Sequence, residues 1–111
     1  MNFDNVELKM DKHTLKVKIK GDIDHHNARS IREKIDTWIF SKKPSLILLD
    51  LSLVEFMDSS GLGLIMGRYN SATEIGASFV IYKPNYRVKK ILSLAGVERI
   101  ITIKGDDVYA Q

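Results

Sequence analysis

The segment Phe56-Met57-Asp58-Ser59-Ser60-Gly61-Leu62-Gly63 gathers a carboxylate, two hydroxyls and two glycines where an apolar run gives way to helical spacing. Two readings fit such a group. In one, Asp58 or Ser59 caps the helix by accepting hydrogen bonds from its first unpaired backbone N–H groups, an interaction typically worth about 1 kcal/mol. In the other, a serine hydroxyl stands exposed for modification, and its small neighbours let another protein's active site approach. A helix start tolerates phosphate because free N–H groups and the positive end of the macrodipole favour an anion. Phosphate there would add a charge near −2 and three acceptor oxygens without melting the domain. It would act on a contact surface through charge and bulk.

A second polar cluster, Asp22, Asp24, His25 and His26, contains residue types that ligate metals. Adjacent histidines are expected to diverge on an extended loop, and the glycine and terminal glutamate of a calcium loop are missing. Asp24 and its neighbours suit a cap for a helix beginning near Asn27 or, alternatively, a solvated acid beside a protein-docking surface. Enzyme signatures fit poorly. Gly61, Gly63 and Gly67 miss the dinucleotide fingerprint, whose third glycine falls one place earlier, and no lysine follows as a phosphate loop requires. A nucleophile elbow around Ser60 needs glycine where the chain has Asp58. A serine hydrolase triad is recognised by geometry and stays open as an alternative. Val54, Phe56, Met57 and Leu62 read as core, with any left exposed forming a contact patch.

These loops need a scaffold, and hydrophobic periodicity predicts one. Val6, Leu8 and Met10, then Leu15, Val17 and Ile19, alternate with polar residues as two strands with one buried face each. Gly21 ends the second. Ala28, Ile31, Ile35, Trp38 and Ile39 follow helical spacing from Asn27 to Phe40. Leu46-Ile47-Leu48-Leu49-Asp50-Leu51 is apolar on both sides of the pleat, which predicts a central strand covered by helices on either face. Leu62, Ile65, Met66, Tyr69, Ala72 and Ile75 predict a helix from Ser59 to Ile75, stopped at Gly76. Phe79-Val80-Ile81-Tyr82 is a further strand, Val88 to Ala95 a third helix ending near Gly96, and Ile100-Ile101-Thr102-Ile103 a last strand. The tail from Lys104 is either another short element or frayed. The expectation is a single α/β domain over residues 1–111, a mixed, mostly parallel sheet of four to five strands with helices packed against it. Loops beyond the carboxyl ends of strands carry function in such sheets, which singles out Gly21 to His26 and Val54 to Gly63.

Composition narrows the classes. At 111 residues, 44% hydrophobic and 28% charged, the chain is the size of one domain and too apolar for intrinsic disorder. The absence of cysteine removes disulfides, thiolate metal sites and thiol nucleophiles, and fits an intracellular setting. No secretory signal is legible at the N-terminus, and no run approaches the roughly 20 apolar residues that span a bilayer, so a cytoplasmic protein without a membrane partner is expected. The formal charge of +3 comes from scattered residues; Lys16, Lys18 and Lys20 alternate as the wet face of a strand, and no direct nucleic-acid contact is expected.

Taken together, Gly21-Asp22-Ile23-Asp24-His25-His26-Asn27, Leu48-Leu49-Asp50-Leu51, the Phe56 to Gly63 segment and Gly67-Arg68-Tyr69 resemble, in order and spacing, the STAS domain of anti-sigma factor antagonists from spore-forming bacteria. The resemblance covers essentially the whole chain, and the Asp-His-His loop favours the sporulation branch over general-stress relatives. It implies a partner-switching protein that catalyses nothing and carries no cofactor. The unmodified form would bind an anti-sigma factor that is also a serine kinase, of the stage II sporulation protein AB type, and so release the forespore sigma factor. The kinase would phosphorylate Ser59 using ATP, the complex would weaken, and a metal-dependent serine phosphatase of the stage II sporulation protein E type would restore the active form. Carried over by position, Ser59 is the phosphoacceptor, Asp58 and Ser60 flank it, Gly61 and Gly63 keep the approach open, Leu62 lies between them in the partner-binding set, and Asp24 faces the partner. The alternatives are a STAS module of a stress-signalling or nucleotide-sensing complex and a small serine hydrolase.

Overall fold

A computed structural model of the chain describes residues 5–105, so the expectation for the tail beyond Gly105 lies outside the described residues. Strands β1 (Val6–Asp11) and β2 (Thr14–Lys20) form an antiparallel hairpin closed by Lys12 and His13, with Lys12 in the left-handed region at φ 58°. Three strand-helix-strand units follow: α1 (Ala28–Lys42) leads to β3 (Leu46–Leu53), α2 (Ser59–Glu74) to β4 (Ser78–Tyr82), and α3 (Tyr86–Leu94) to β5 (Thr102–Lys104). The sheet order is β1-β2-β3-β4-β5, parallel from β2 onward, with β3 at the centre.

That order decides which face is covered. Crossovers between parallel strands are right-handed, and here each steps one strand in the same direction, so all three helices fall on one side of the sheet. The expectation that helices would cover both faces of β3 is therefore corrected. Register aligns Leu15, Ile47 and Phe79 in one buried row and Val17, Leu49 and Ile81 in the next. The alternate rows run Lys9-Lys16-Leu48-Val80-Thr102 and Glu7-Lys18-Asp50-Tyr82-Lys104, and these side chains are exposed or half-buried. The apolar residues on both sides of β3 reflect a central position between neighbours, with helices on one side only.

Under the helices, one continuous core includes Ile31, Ile35 and Ile39 from α1, Leu64, Ile65 and Ala72 from α2, and Val88 and Leu92 from α3. Helices α1 and α2 are also joined by a polar clamp. The Arg68 guanidinium, only 5% exposed, brings Nε to 2.8 Å from Asp36 Oδ1, and Ser71 Oγ donates to the same carboxylate oxygen at 3.0 Å. Burial pulls the Arg68 pKa below its ordinary value; Asp36 opposes that shift and nearby Arg32 adds to it. Asp36 is thus what makes the buried cation tolerable.

Element ends agree with the sequence to within a few residues, the last strand included. Gly76 takes φ 73° where a helix terminator was expected. The last strand begins at Thr102 instead of Ile100, because Gly96, at φ 76°, opens a 3-10 turn over Val97–Arg99. The N–H groups of Ile100 and Ile101 both donate to Val97 O, so that stretch bonds to itself before it can join the sheet.

Candidate functional site

Strands β2 and β3 are parallel neighbours, so the loops that follow them leave the sheet at the same end, and backbone hydrogen bonds continue the pairing beyond the strands. Gly21 N donates to Leu53 O at 3.0 Å, Ile23 N to Phe56 O at 3.2 Å, and Asp58 N to Ile23 O at 3.2 Å. Phe56 N donates to Asp22 Oδ1 at 3.0 Å. Ile23 and Met57 are buried beneath this seam. On the far side, Asn85 Nδ2 donates to Val54 O at 3.2 Å, while Asn85 Oδ1 caps α3 by accepting from Val88 N at 2.8 Å. The loops after β2, β3 and β4 are therefore tied into a single surface.

At its centre α2 begins. Asp58 is the N-cap, its Oδ1 accepting from Ser60 N at 2.8 Å. Because Asp58 supplies the cap, the Ser59 hydroxyl is not needed for it: Ser59 is the first residue of the helix, exposed, with no side-chain hydrogen bond to another described residue. The two readings of the motif thus fall on different residues. Among its neighbours, half-buried Ser60 lines a groove of about 380 Å³ between α1 and α2, together with His25, Arg29, Arg32 and Arg68. Leu62 is half-buried against the core, and Gly63 is exposed, with open space where a Cβ would stand. Gly61 points the other way. It is buried, and a Cβ there would lie 2.6 Å from Met57 Cβ and 2.8 Å from its sulfur. Its hydrogen lets α2 close over Met57, so the openness expected at this pair of glycines resides at Gly63.

Asp24 serves the loop first. Its Oδ1 accepts from His26 N at 2.8 Å and Asn27 N at 3.1 Å, and Asn27 Oδ1 accepts in return from Asp24 N at 3.0 Å. Both donors precede α1, whose N-cap residue Asn27 makes no side-chain cap bond, so the helix cap expected here is instead a brace within the loop; the Asp24 side chain is still 48% exposed and also presents charge to solvent. The imidazoles of His25 and His26 do not diverge; their centroids are 4.0 Å apart. No group of three or more metal-ligating side chains assembles among the described residues, and Asp22 is occupied with Phe56 N. Nor does any imidazole hydrogen-bond to the Ser59 or Ser60 hydroxyl among these residues, the contact an activated serine nucleophile relies on. Asp22 and Asn85 were not foreseen as the residues that tie the loops. Asn85, three positions ahead of Val88, carried the signal of an N-cap.

With this geometry in hand, comparison with known proteins places the chain. Residues 5–109 match the STAS domain model, and the chain belongs to the STAS domain family. It is 33% identical over 108 residues to the anti-sigma F factor antagonist of Paenibacillus polymyxa, an alignment covering 96% of this chain and 92% of that protein. Its fold matches the anti-sigma factor antagonist SpoIIAA in its unphosphorylated form, with a TM-score of 0.79 and 27% identity over 95% of this chain and 92% of that one. It also matches the Bacillus cell fate determinant SpoIIAA in the phosphorylated form, with a TM-score of 0.72 and 26% identity over 95% and 96% of the two chains.

Proposed function

We propose that this STAS domain is an anti-sigma factor antagonist of the sporulation type, which binds an anti-sigma factor that is also a serine kinase and is switched off when that kinase phosphorylates Ser59. The observation that carries the reading is the Ser59 hydroxyl, exposed at the start of α2 beside a cap that does not require it. Relatives of the same fold described in phosphorylated and unphosphorylated forms support it. The protein acts by binding and catalyses no reaction; a serine phosphatase resets it.

The switch follows from electrostatics on a rigid surface. Asp24 and Asp58 already contribute two carboxylates to the tied loops. A phosphate on Ser59 adds roughly two further negative charges and a bulky hydrated group. A surface complementary to the unmodified form then meets repulsion and a dianion it must desolvate, either of which weakens a complex. The core beneath is untouched, because Ser59 contributes nothing to it. Intact-mass analysis after incubation with the cognate anti-sigma factor and ATP tests this. The wild type should gain one phosphoryl group and Ser59→Ala none; equal modification of both would contradict the assignment.

A further inference from the structure

The groove between α1 and α2 that Ser60 lines carries charge of one sign. Arg29 and Arg32, three residues apart on α1, line it with Arg68 from α2; His25 lines it too, and no carboxylate does. Two of these cations are incompletely satisfied. Arg32 is exposed and makes no hydrogen bond or ion pair among the described residues. Arg68 is buried and paired in charge with Asp36, yet its Nε makes no hydrogen bond and its Nη1 reaches only Leu64 O, at 3.4 Å. A guanidinium has five N–H donors, and a buried one left with free donors calls for a partner. The two also repel each other, since Arg32 adds to the fall in the Arg68 pKa. Arg29 differs in pairing with Glu33, at 3.2 Å. The α2 wall is also cut back. Gly63 and Gly67, one turn apart, line the same groove, and a Cβ at either would meet nothing within 4 Å. A helix interior favours alanine over glycine, and packing inside this domain requires glycine at neither position.

We propose that this groove is a binding site for a phosphate group, free or carried on a small molecule, held between Arg32 and Arg68 with the Ser60 hydroxyl as a further donor. Arginine suits that role, because its planar fork meets two phosphate oxygens at once and stays charged at any physiological pH. A dianion there would offset the repulsion between the two guanidiniums and occupy donors that the fold leaves free. The missing side chains at Gly63 and Gly67 give it room, and the first turn of α2 adds a dipole of the favourable sign. Ser59 does not line the groove, so this site stands or falls independently of the proposed function.

The test is a titration of the purified protein followed through backbone amide shifts by NMR, with glycerol phosphate, inorganic phosphate and glycerol as probes at constant ionic strength. Both phosphates should give saturable shifts at Ser60, Gly63 and Gly67, with dissociation constants of about 1 mM or tighter, and glycerol should give none. Tighter binding of the ester marks a phosphorylated small molecule as the ligand; equal or weaker binding marks the free ion. Arg32→Gln should weaken binding by about tenfold or more without lowering the melting temperature, and Arg32→Lys should recover only part of the loss. Gly67→Ala should weaken binding by filling the wall, and Lys9→Gln, on the uncovered face of the sheet, should change nothing. Shifts that fail to saturate, or that persist unchanged in Arg32→Gln, would show a general attraction of anions to a basic protein and overturn the inference. So would a polyglutamate peptide that binds the groove more tightly than either phosphate, which would make it a surface for an acidic protein segment.

Discussion

Two surfaces of this domain are open to water, the uncovered face of the sheet and the end of the sheet around Ser59, and they treat their side chains in opposite ways. The uncovered face pairs most of its charges with one another. Lys16 pairs with Asp11 at 3.3 Å, Lys20 with Glu7 at 3.6 Å and Lys18 with Asp50 at 4.0 Å, around a hollow of about 210 Å³. Alternating lysines and acids on a sheet face keep it soluble and discourage adventitious stacking. The end surface spends its polar backbone on tying loops together and leaves a free hydroxyl, a half-exposed carboxylate and the apolar side chains of Leu53, Phe56 and Tyr86 facing outward. The hollow on the first surface is smaller than the groove of about 380 Å³ at the second. Unmet interactions held on a rigid frame point to the second.

The contrast predicts where substitutions act. The largest effect should come from Ser59→Asp, which brings a permanent charge to the end surface and should cost about a hundredfold in affinity for the anti-sigma factor, with the urea midpoint unchanged. Next is a pair that separates folding from binding on the same helix. Gly61→Ala drives a methyl group into Met57 and should lower stability by about 1–3 kcal/mol in urea titration. Gly63→Ala meets nothing and should raise stability by roughly 0.5–1 kcal/mol, as alanine is the better helix former, while a partner seated closely there binds less well. Asp24→Ala should weaken binding by about tenfold at low salt and less at high salt, which affinities measured across ionic strengths will show. It should also lower stability by about 1 kcal/mol through loss of the bonds that its carboxylate accepts from His26 N and Asn27 N. Smallest of all is Lys16→Ala on the uncovered face. Both partners of that ion pair are half-exposed, so stability should move by no more than about 0.5 kcal/mol and affinity not at all. A binding defect there would break the comparison.

Much of this was legible in the sequence because it is local. Alternation gave β1 and β2, helical spacing gave α1, α2 and α3, and the Asp-Ser-Ser-Gly element gave the start of α2 and the family. Strand order was not legible, and with it went the one-sided cover of β3, since the same apolar run suits a strand between two helical layers or one beneath a single layer. The pairings that shape the site join residues distant in sequence: Asp22 with Phe56, Asn85 with Val54, Asp36 with Arg68 and Ser71. No local pattern encodes them. The opposite roles of Gly61 and Gly63 were closer to hand. Two residues along a helix turn about 200°, so two glycines at that spacing cannot both face the same way.

The most direct test of the account is a side-by-side measurement on stoichiometrically phosphorylated and unmodified protein: affinity for the cognate anti-sigma factor, and melting temperature, under the same buffer. The account predicts affinity lower by about a hundredfold in the phosphorylated form with the melting temperature nearly unchanged. Equal affinities would contradict it, and so would a large fall in melting temperature, which would mean that Ser59 holds the fold instead of gating a surface.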